Sequence, residues 1–264
     1  MDKLPPDVQP VLHEYLDALQ SRLPGLVAAL YLHGSIALRA FDPRFSDVDF
    51  LALLSRRCTN SDLSSLAEIH HVVMTKYPRP VLDGGYLQWK DIGQTEENIG
   101  AHPYYHDGQL QSDGCGEVNA VTWWLIKNQG VVLLGPNPRE LEFEVGGERL
   151  SSYTLSNLNE YWVAFITQPR RIAWLLYEYG IQWSVLGVLR QYYTLREQQV
   201  ISKVAAGAYA LENLPSKWHR IVREATNIRQ RAGPSLYKNR VARAVETGRF
   251  LRFVIRDCNS RYGI

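Results

Sequence analysis

Hydrophobic positions along the chain follow two regimes, and the change comes near residue 150. Before it, short apolar runs alternate with segments of helical spacing. Val8, Val11, Leu12, Tyr15, Leu16, Leu19 and Leu23 recur at intervals that predict an amphipathic helix, ended by Pro24-Gly25. Leu26 to His33 is an apolar run of strand length that stops at Gly34-Ser35, and Asp47 to Leu54 is a second. Leu63, Leu66, Ile69, Val72 and Val73 give residues 60–77 one apolar face, as in a helix. Val81 through Leu87 reads as a third strand, weakened by Gly84-Gly85. The polar, Gly- and His-containing stretch 93–115 predicts a loop. A helix is expected over 117–129, then a brief strand from Val131 to Leu134 closed by Gly135-Pro136.

Beyond residue 150 the strand-like runs stop. Helical patterns fall roughly at 153–167, 170–194, 202–212, 215–230 and 237–258. Pro169, Gly207 (weakly), Pro215 and Gly233-Pro234 punctuate them. The expected fold class is α+β, with a boundary in the acidic, Gly-containing stretch 138–150. Residues 1–150 would form a mixed β-sheet with flanking helices, and residues 151–264 an all-α bundle.

Composition narrows the functional classes. The chain has 264 residues and a formal net charge of +2, so no global field points to nucleic acid or an anionic membrane. Nothing approaches eighteen uninterrupted apolar residues, which speaks against a membrane span. Met1 to Pro6 lacks the apolar run of a signal peptide. Cys58, Cys115 and Cys258 are odd in number and far apart, so they read as free thiols in a reducing compartment. A cytoplasmic protein, monomeric or weakly dimeric, is the expectation.

The chemistry concentrates in His33-Gly34-Ser35 and Ser46-Asp47-Val48-Asp49-Phe50. Strand residues two apart point the same way, so Asp47 and Asp49 present two carboxylates on one face of an otherwise apolar strand. Two like charges there cost several kcal/mol unless a cation neutralises them. Mg²⁺ suits carboxylate and phosphate oxygens. Gly34 lets the backbone approach a ligand, and the residues after it can open a short helix whose amides cradle phosphate, with Ser35 adding a hydroxyl. Metal, cradle and carboxylates together are what phosphoryl or nucleotidyl transfer requires.

This arrangement resembles the signature of the nucleotidyltransferase superfamily: a Gly-Ser turn, a spacer of roughly ten residues, then Asp-x-Asp. By that resemblance Asp83, in the next strand-like run, would complete the metal site with Asp47 and Asp49 or act as general base, with Asp91 the fallback. In the second half, Leu189-Arg190-Gln191-Tyr192-Tyr193, Ser202-Lys203-Val204-Ala205-Ala206, Tyr209 to Pro215 and Ile221 to Ala225 resemble the helical domain of the aminoglycoside adenylyltransferases, nearest to the streptomycin/spectinomycin type.

The resemblance implies an enzyme that uses ATP and Mg²⁺ to adenylylate a hydroxyl of an aminoglycoside or aminocyclitol, and so confers antibiotic resistance. Gly34, Ser35 and Ser46 would cradle the triphosphate, and Arg190 and Lys203 would bind it from the helical domain. Tyr105, His102 and Glu178 would meet the acceptor. Streptomycin-modifying relatives place several acidic residues before the Leu-x-Arg-x-x-Tyr helix. Here Tyr177 to Gln182 offers only Glu178, which favours a spectinomycin-like acceptor.

Other features read as structural. His70-His71 diverge by about 100° on a helix, so they make no metal pair. Trp123-Trp124 read as one core and one interface residue. Arg240, Arg243, Arg249, Arg252 and Arg256 read as a solvated helix face, with an RNA-contacting stripe the lesser alternative. The competing functions are nucleotide transfer to RNA or a protein hydroxyl, and a catalytically silent nucleotide-binding module. The favoured reading takes small-molecule partners, with no nucleic acid and no membrane.

Overall fold

The computed structural model describes residues 4–114 and 118–263. Cys115, the Glu117 end of the expected helix and the extreme N-terminus lie outside them. The chain divides into two compact units, Met1–Val145 and Gly146–Ile264.

The first unit runs α1 (Gln9–Arg22), β1 (Val27–Leu32), α2 (Gly34–Ala37), β2 (Val48–Leu54), α3 (Asn60–Lys76), β3 (Leu82–Gln88), β4 (His102–His106), β5 (Gln109–Gly114), α4 (Ala120–Gln129) and β6 (Val131–Leu134). Its six-stranded sheet has the order β5-β4-β3-β2-β1-β6. β2 and β3 are parallel, and the other neighbours are antiparallel. The parallel pair needs a crossover, and α3 supplies it.

The start of α3 is fixed by a capping box. Thr59 Oγ1 accepts from the Asp62 amide at 3.2 Å, and Asp62 Oδ2 accepts from the Thr59 amide at 2.7 Å. Arg56 adds a 2.5 Å contact to the same carboxylate and, with the Thr59 amide, holds it well below the usual carboxylate range.

One core lies on one face of the sheet. Leu12 and Tyr15 of α1 and Leu66 and Ile69 of α3 pack with Val48, Phe50 and Ala52 of β2. Leu51, Leu53 and Leu87 alternate to the opposite face and are buried as well, so both faces are covered there. Polar groups enter the first core as a chain. Tyr15 and Tyr86 share a hydrogen bond of 2.5 Å, and Tyr86 Oη meets His70 Nε2 at 2.6 Å. Burial drives the His70 pKa down to about 3, so the ring is neutral.

The expected loop over 93–115 is corrected by β4 and β5. Pro103 interrupts the alternation in His102-Pro103-Tyr104-Tyr105-His106, and β5 is an edge strand whose side chains are mostly exposed, so neither shows an apolar face in the sequence.

The second unit is all-α: α5 (Gly147–Asn157), a π-helical turn (Leu158–Trp162), α6 (Val163–Thr167), α7 (Pro169–Ile172), a 3₁₀ turn (Ala173–Leu176), α8 (Glu178–Glu197), α9 (Lys203–Asn213), a 3₁₀ turn (Ser216–Trp218), α10 (His219–Gln230) and α11 (Arg240–Tyr262). The single helix expected over 170–194 is therefore broken. Tyr177 leaves helical geometry at φ −105°, ψ 146°, and α8 starts afresh after it.

α8 is the central helix. It buries Ile181, Val185, Leu189 and Tyr192 against Ala206 of α9, Ile221 and Ala225 of α10 and Phe250 and Val254 of α11. An ion pair locks α10 to α11: Glu224, fully buried, accepts from Arg243 Nη1 at 2.9 Å, from the Leu236 amide at 2.7 Å and from Ser235 Oγ at 2.6 Å. Among the described residues no helix is long and apolar enough to cross a membrane.

Candidate active site

The site begins where β1 ends. His33 donates its amide to the Asp49 carbonyl at 3.0 Å, and Gly34 follows at φ +56° to turn the chain into α2. Most residues resist that conformation, and glycine does not. A second constraint is spatial. A Cβ on Gly34 would sit 1.8 Å from Asp49 Oδ2. The bare glycine is what lets the Asp49 carboxylate lie against the turn. Ser35, the second residue of α2, has a buried Oγ with no hydrogen-bond partner. A buried hydroxyl without a partner is a donor waiting for an acceptor.

Asp47 and Asp49 bracket Val48, which is fully buried while both aspartates are half-exposed. That alternation puts the two carboxylates on one side of the β2 start. Asp47 is 48% exposed and 3.9 Å from Arg79 Nη1, a loose ion pair. β3 runs beside β2 in parallel register, with Asp49 opposite Asp83 and Phe50 opposite Gly84. The shared register makes Asp49 and Asp83 neighbours on one face.

Asp83 is 33% exposed, and its Oδ2 lies 2.7 Å from His106 Nδ1. An ionised carboxylate only accepts, so Nδ1 carries the proton. This partner comes from β4, where Tyr105 and His106 alternate to opposite faces. Nothing in the sequence spacing marks His106 and Asp83 as a site pair. Only recognising β4 as a strand beside β3 exposes it.

Three expectations change. Tyr105, expected at the acceptor, is 3% exposed, and its ring stacks on His70 with centroids 3.8 Å apart. His102, also expected there, is buried with Nδ1 3.0 Å from the Gly100 carbonyl. Both rings are packed in the interior, Tyr105 in the core with His70 and His102 beside Gly85. The third change concerns the metal. Among the described residues no three His, Cys, Asp or Glu side chains group closely enough to hold an ion. Asp47, Asp49 and Asp83 therefore form no ready-made three-carboxylate cage, since Asp83 turns to His106.

Two half-exposed carboxylates on one face, with a glycine turn leaving room beside them, still fit Mg²⁺. That ion commonly takes one or two carboxylates and completes its shell with water and substrate phosphate. Ser46 is buried, and its Oγ accepts from the Asp42 amide at 3.0 Å, closing the turn that delivers Asp47. Arg44, paired with Asp42 at 2.6 Å, belongs to the same turn.

In the helical unit, residues 169–249 match the family model of the aminoglycoside adenylyltransferase C-terminal domain. Across almost the whole chain the fold is shared with the crystal structure of spectinomycin adenyltransferase AAD(9) from Enterococcus faecialis, determined with ATP and spectinomycin. That likeness has a TM-score of 0.69 and covers 95% of this chain and 99% of the other, at 14% identity. At that identity the likeness is one of fold. No curated protein matches the chain by sequence.

Within the matched segment, Arg190 lies on α8, next to the buried Leu189, and is itself half-buried. Lys203 is the first residue of α9, whose cap is Ser202, the hydroxyl accepting from the Ala205 amide at 3.3 Å. Glu178 opens α8 and is exposed, between the exposed rings of Tyr177 and Tyr179. Arg229 is buried on α10.

Proposed function

We propose that the protein is a Mg²⁺-dependent adenylyltransferase that moves AMP from ATP to a hydroxyl of an aminocyclitol antibiotic, spectinomycin-like rather than streptomycin, and thereby confers resistance. The observation that carries this reading is the Asp49 carboxylate seated against the bare Gly34 turn, with Asp47 beside it and Asp83 in register on the next strand. The C-terminal domain match over residues 169–249 supports the reaction class. The solved relative bound to ATP and spectinomycin supports the substrate pair. The single acidic residue in the stretch 177–182, Glu178, supports an acceptor less dependent on carboxylates than streptomycin.

Each residue then has a role. The α2 amides and the unpartnered Ser35 hydroxyl receive phosphate oxygens. Asp47 and Asp49 hold Mg²⁺, which when bound draws charge from the phosphates as pyrophosphate develops. Asp83 accepts the proton of the acceptor hydroxyl, and His106 holds that carboxylate in orientation. The acceptor oxygen bonds to the α-phosphorus, and the bond from that phosphorus to the bridging oxygen breaks. From the helical unit, Arg190 and Lys203 are the cations assigned to the triphosphate. With ATP as donor, the cytoplasm is the fitting compartment, and the working form is a monomer or weak dimer.

The test is pyrophosphate release from MgATP with spectinomycin, streptomycin and RNA as acceptors. Spectinomycin is expected to support turnover. Asp47→Asn is expected to abolish it while the melting temperature stays within about 2 °C of the parent, since a half-exposed polar swap costs about 0.5 kcal/mol or less. Sustained turnover in that variant, or release with RNA alone, overturns the proposal.

A further inference from the structure

The arginines of α11 are not one uniform face. Arg243 is buried in its pair with Glu224, so it is structural. Arg249, Arg252 and Arg256 are exposed and lie three and four residues apart, on one side of the helix. Among the described residues none of the three has a carboxylate within ion-pair distance.

They border a cavity of about 510 Å³ whose floor includes Trp218 and Phe253. The two rings lie 5.2 Å apart at 33°, and Trp218 is anchored behind by Phe250 at 5.5 Å. Lys217 Nζ sits 5.4 Å from the Trp218 ring and 5.6 Å from that of Phe253, a fourth cation at the same place. The acidic lining residue, Asp257, is tied to Arg261 at 2.9 Å. Trp218 Nε1 is buried and has no acceptor.

We infer that this groove is a binding site for single-stranded nucleic acid, separate from the residues assigned to AMP transfer. Four cations with no net acidic counterweight call for a polyanion. Arg249 to Arg256 spans about 10 Å of helix at 1.5 Å per residue, more than one phosphate fills and suited to successive phosphates of a strand. Guanidinium groups grip phosphate in bidentate fashion. The aromatic floor adds what a bare polyphosphate or an acidic peptide would not use: a surface on which a base stacks. The chain's net charge of +2 conceals the patch, because acidic residues elsewhere balance it.

The test uses the full chain and a fluorescein-labelled 12-nucleotide oligouridine, read by anisotropy between 50 and 200 mM salt. Binding is expected with a Kd of about 1–100 µM at the lowest salt, weakening as salt rises. The double variant Arg252→Gln/Arg256→Gln, at two exposed positions, is expected to bind at least about tenfold more weakly. Its slope of log K against log salt should be shallower by about 1.4, at about 0.7 for each phosphate that the variant leaves without its cation. Trp218→Leu, checked for an unchanged melting temperature, is expected to bind about fivefold or more weakly with the slope retained. No binding at 100 µM protein, or equal binding by the double variant, overturns the inference. So does displacement of the oligonucleotide by ATP alone, which would make the groove a nucleotide site. Capture of phosphatidylserine vesicles without oligonucleotide binding would make it a lipid contact and overturn it too. No transfer reaction enters the assay, so its outcome is independent of the proposed activity.

Discussion

Gly34 and Asp49 compete for one volume, and the carboxylate holds it. Gly34→Ala would force a left-handed φ on alanine and push a methyl group into Asp49 Oδ2. The expected result is a loss of about 1–2 kcal/mol in stability, seen in denaturant unfolding, with transfer falling as far as in Asp49→Asn. Asp83→Asn is a different lesion. It keeps the shape and the His106 contact but removes the proposed proton acceptor, so kcat is expected to drop about 10²–10⁴-fold. ATP affinity, measured by calorimetry, should stay near the parent value. Asp47, Asp49 and Ser35 are legible in the sequence because Gly-Ser and Asp-x-Asp each adjoin an apolar run. His106 is not, because its partner lies 23 residues away and only strand pairing joins them.

The strands that can be read from the sequence are the apolar ones. β1, β2 and β6 are built almost wholly from Val, Leu, Ala and aromatic residues, and β2 is buried nearly throughout. β4 and β5 lie on the outer side of the sheet, where Gln109, Gln111, Ser112 and Asp113 face water and leave no hydrophobic alternation to detect. The long helices α8 and α11 leave a helical pattern in the sequence, but the break at Tyr177 that starts α8 does not show in it. The π-helical turn at Leu158–Trp162 leaves no signal in the spacing. Between α10 and α11 lies the buried Glu224–Arg243 ion pair. Glu224→Ala strands Arg243, 6% exposed, without its counter-charge, and deprives the Leu236 amide of its acceptor. Removing one partner of such a pair is expected to cost about 3–5 kcal/mol in chemical denaturation.

At the scale of the whole molecule, acid sensitivity follows from one buried ring. The His70 pKa is lowered by burial from 6.5 to about 3. The unfolded chain therefore binds a proton between those values that the native state refuses, and stability falls as pH drops from about 6.5 towards 3. Asp62, depressed by Arg56 and the Thr59 amide, contributes stability that is lost only at lower pH, below its ordinary 3.8. Melting temperature between pH 7 and 4 should thus decline in the parent. His70→Leu should flatten the decline, and an unchanged slope would remove His70 as its source. The division near residue 150 is legible because strand-length apolar runs cease there. The compact units meet between Val145 and Gly146. That is a few residues earlier than expected, because α5 already begins at Gly147, in a stretch whose glycines and acids read as linker.

The parallel pairing of β2 with β3 has a consequence for quality control. Side chains alternate with a period of two, so sliding β3 by a single residue would thrust Asp83 into the apolar interior and Leu82 out into water. Such a chain would not survive as a stable fold. The hydrogen bonds that build the sheet thereby act as an inspector of the chemistry, passing only molecules whose acidic groups already stand abreast.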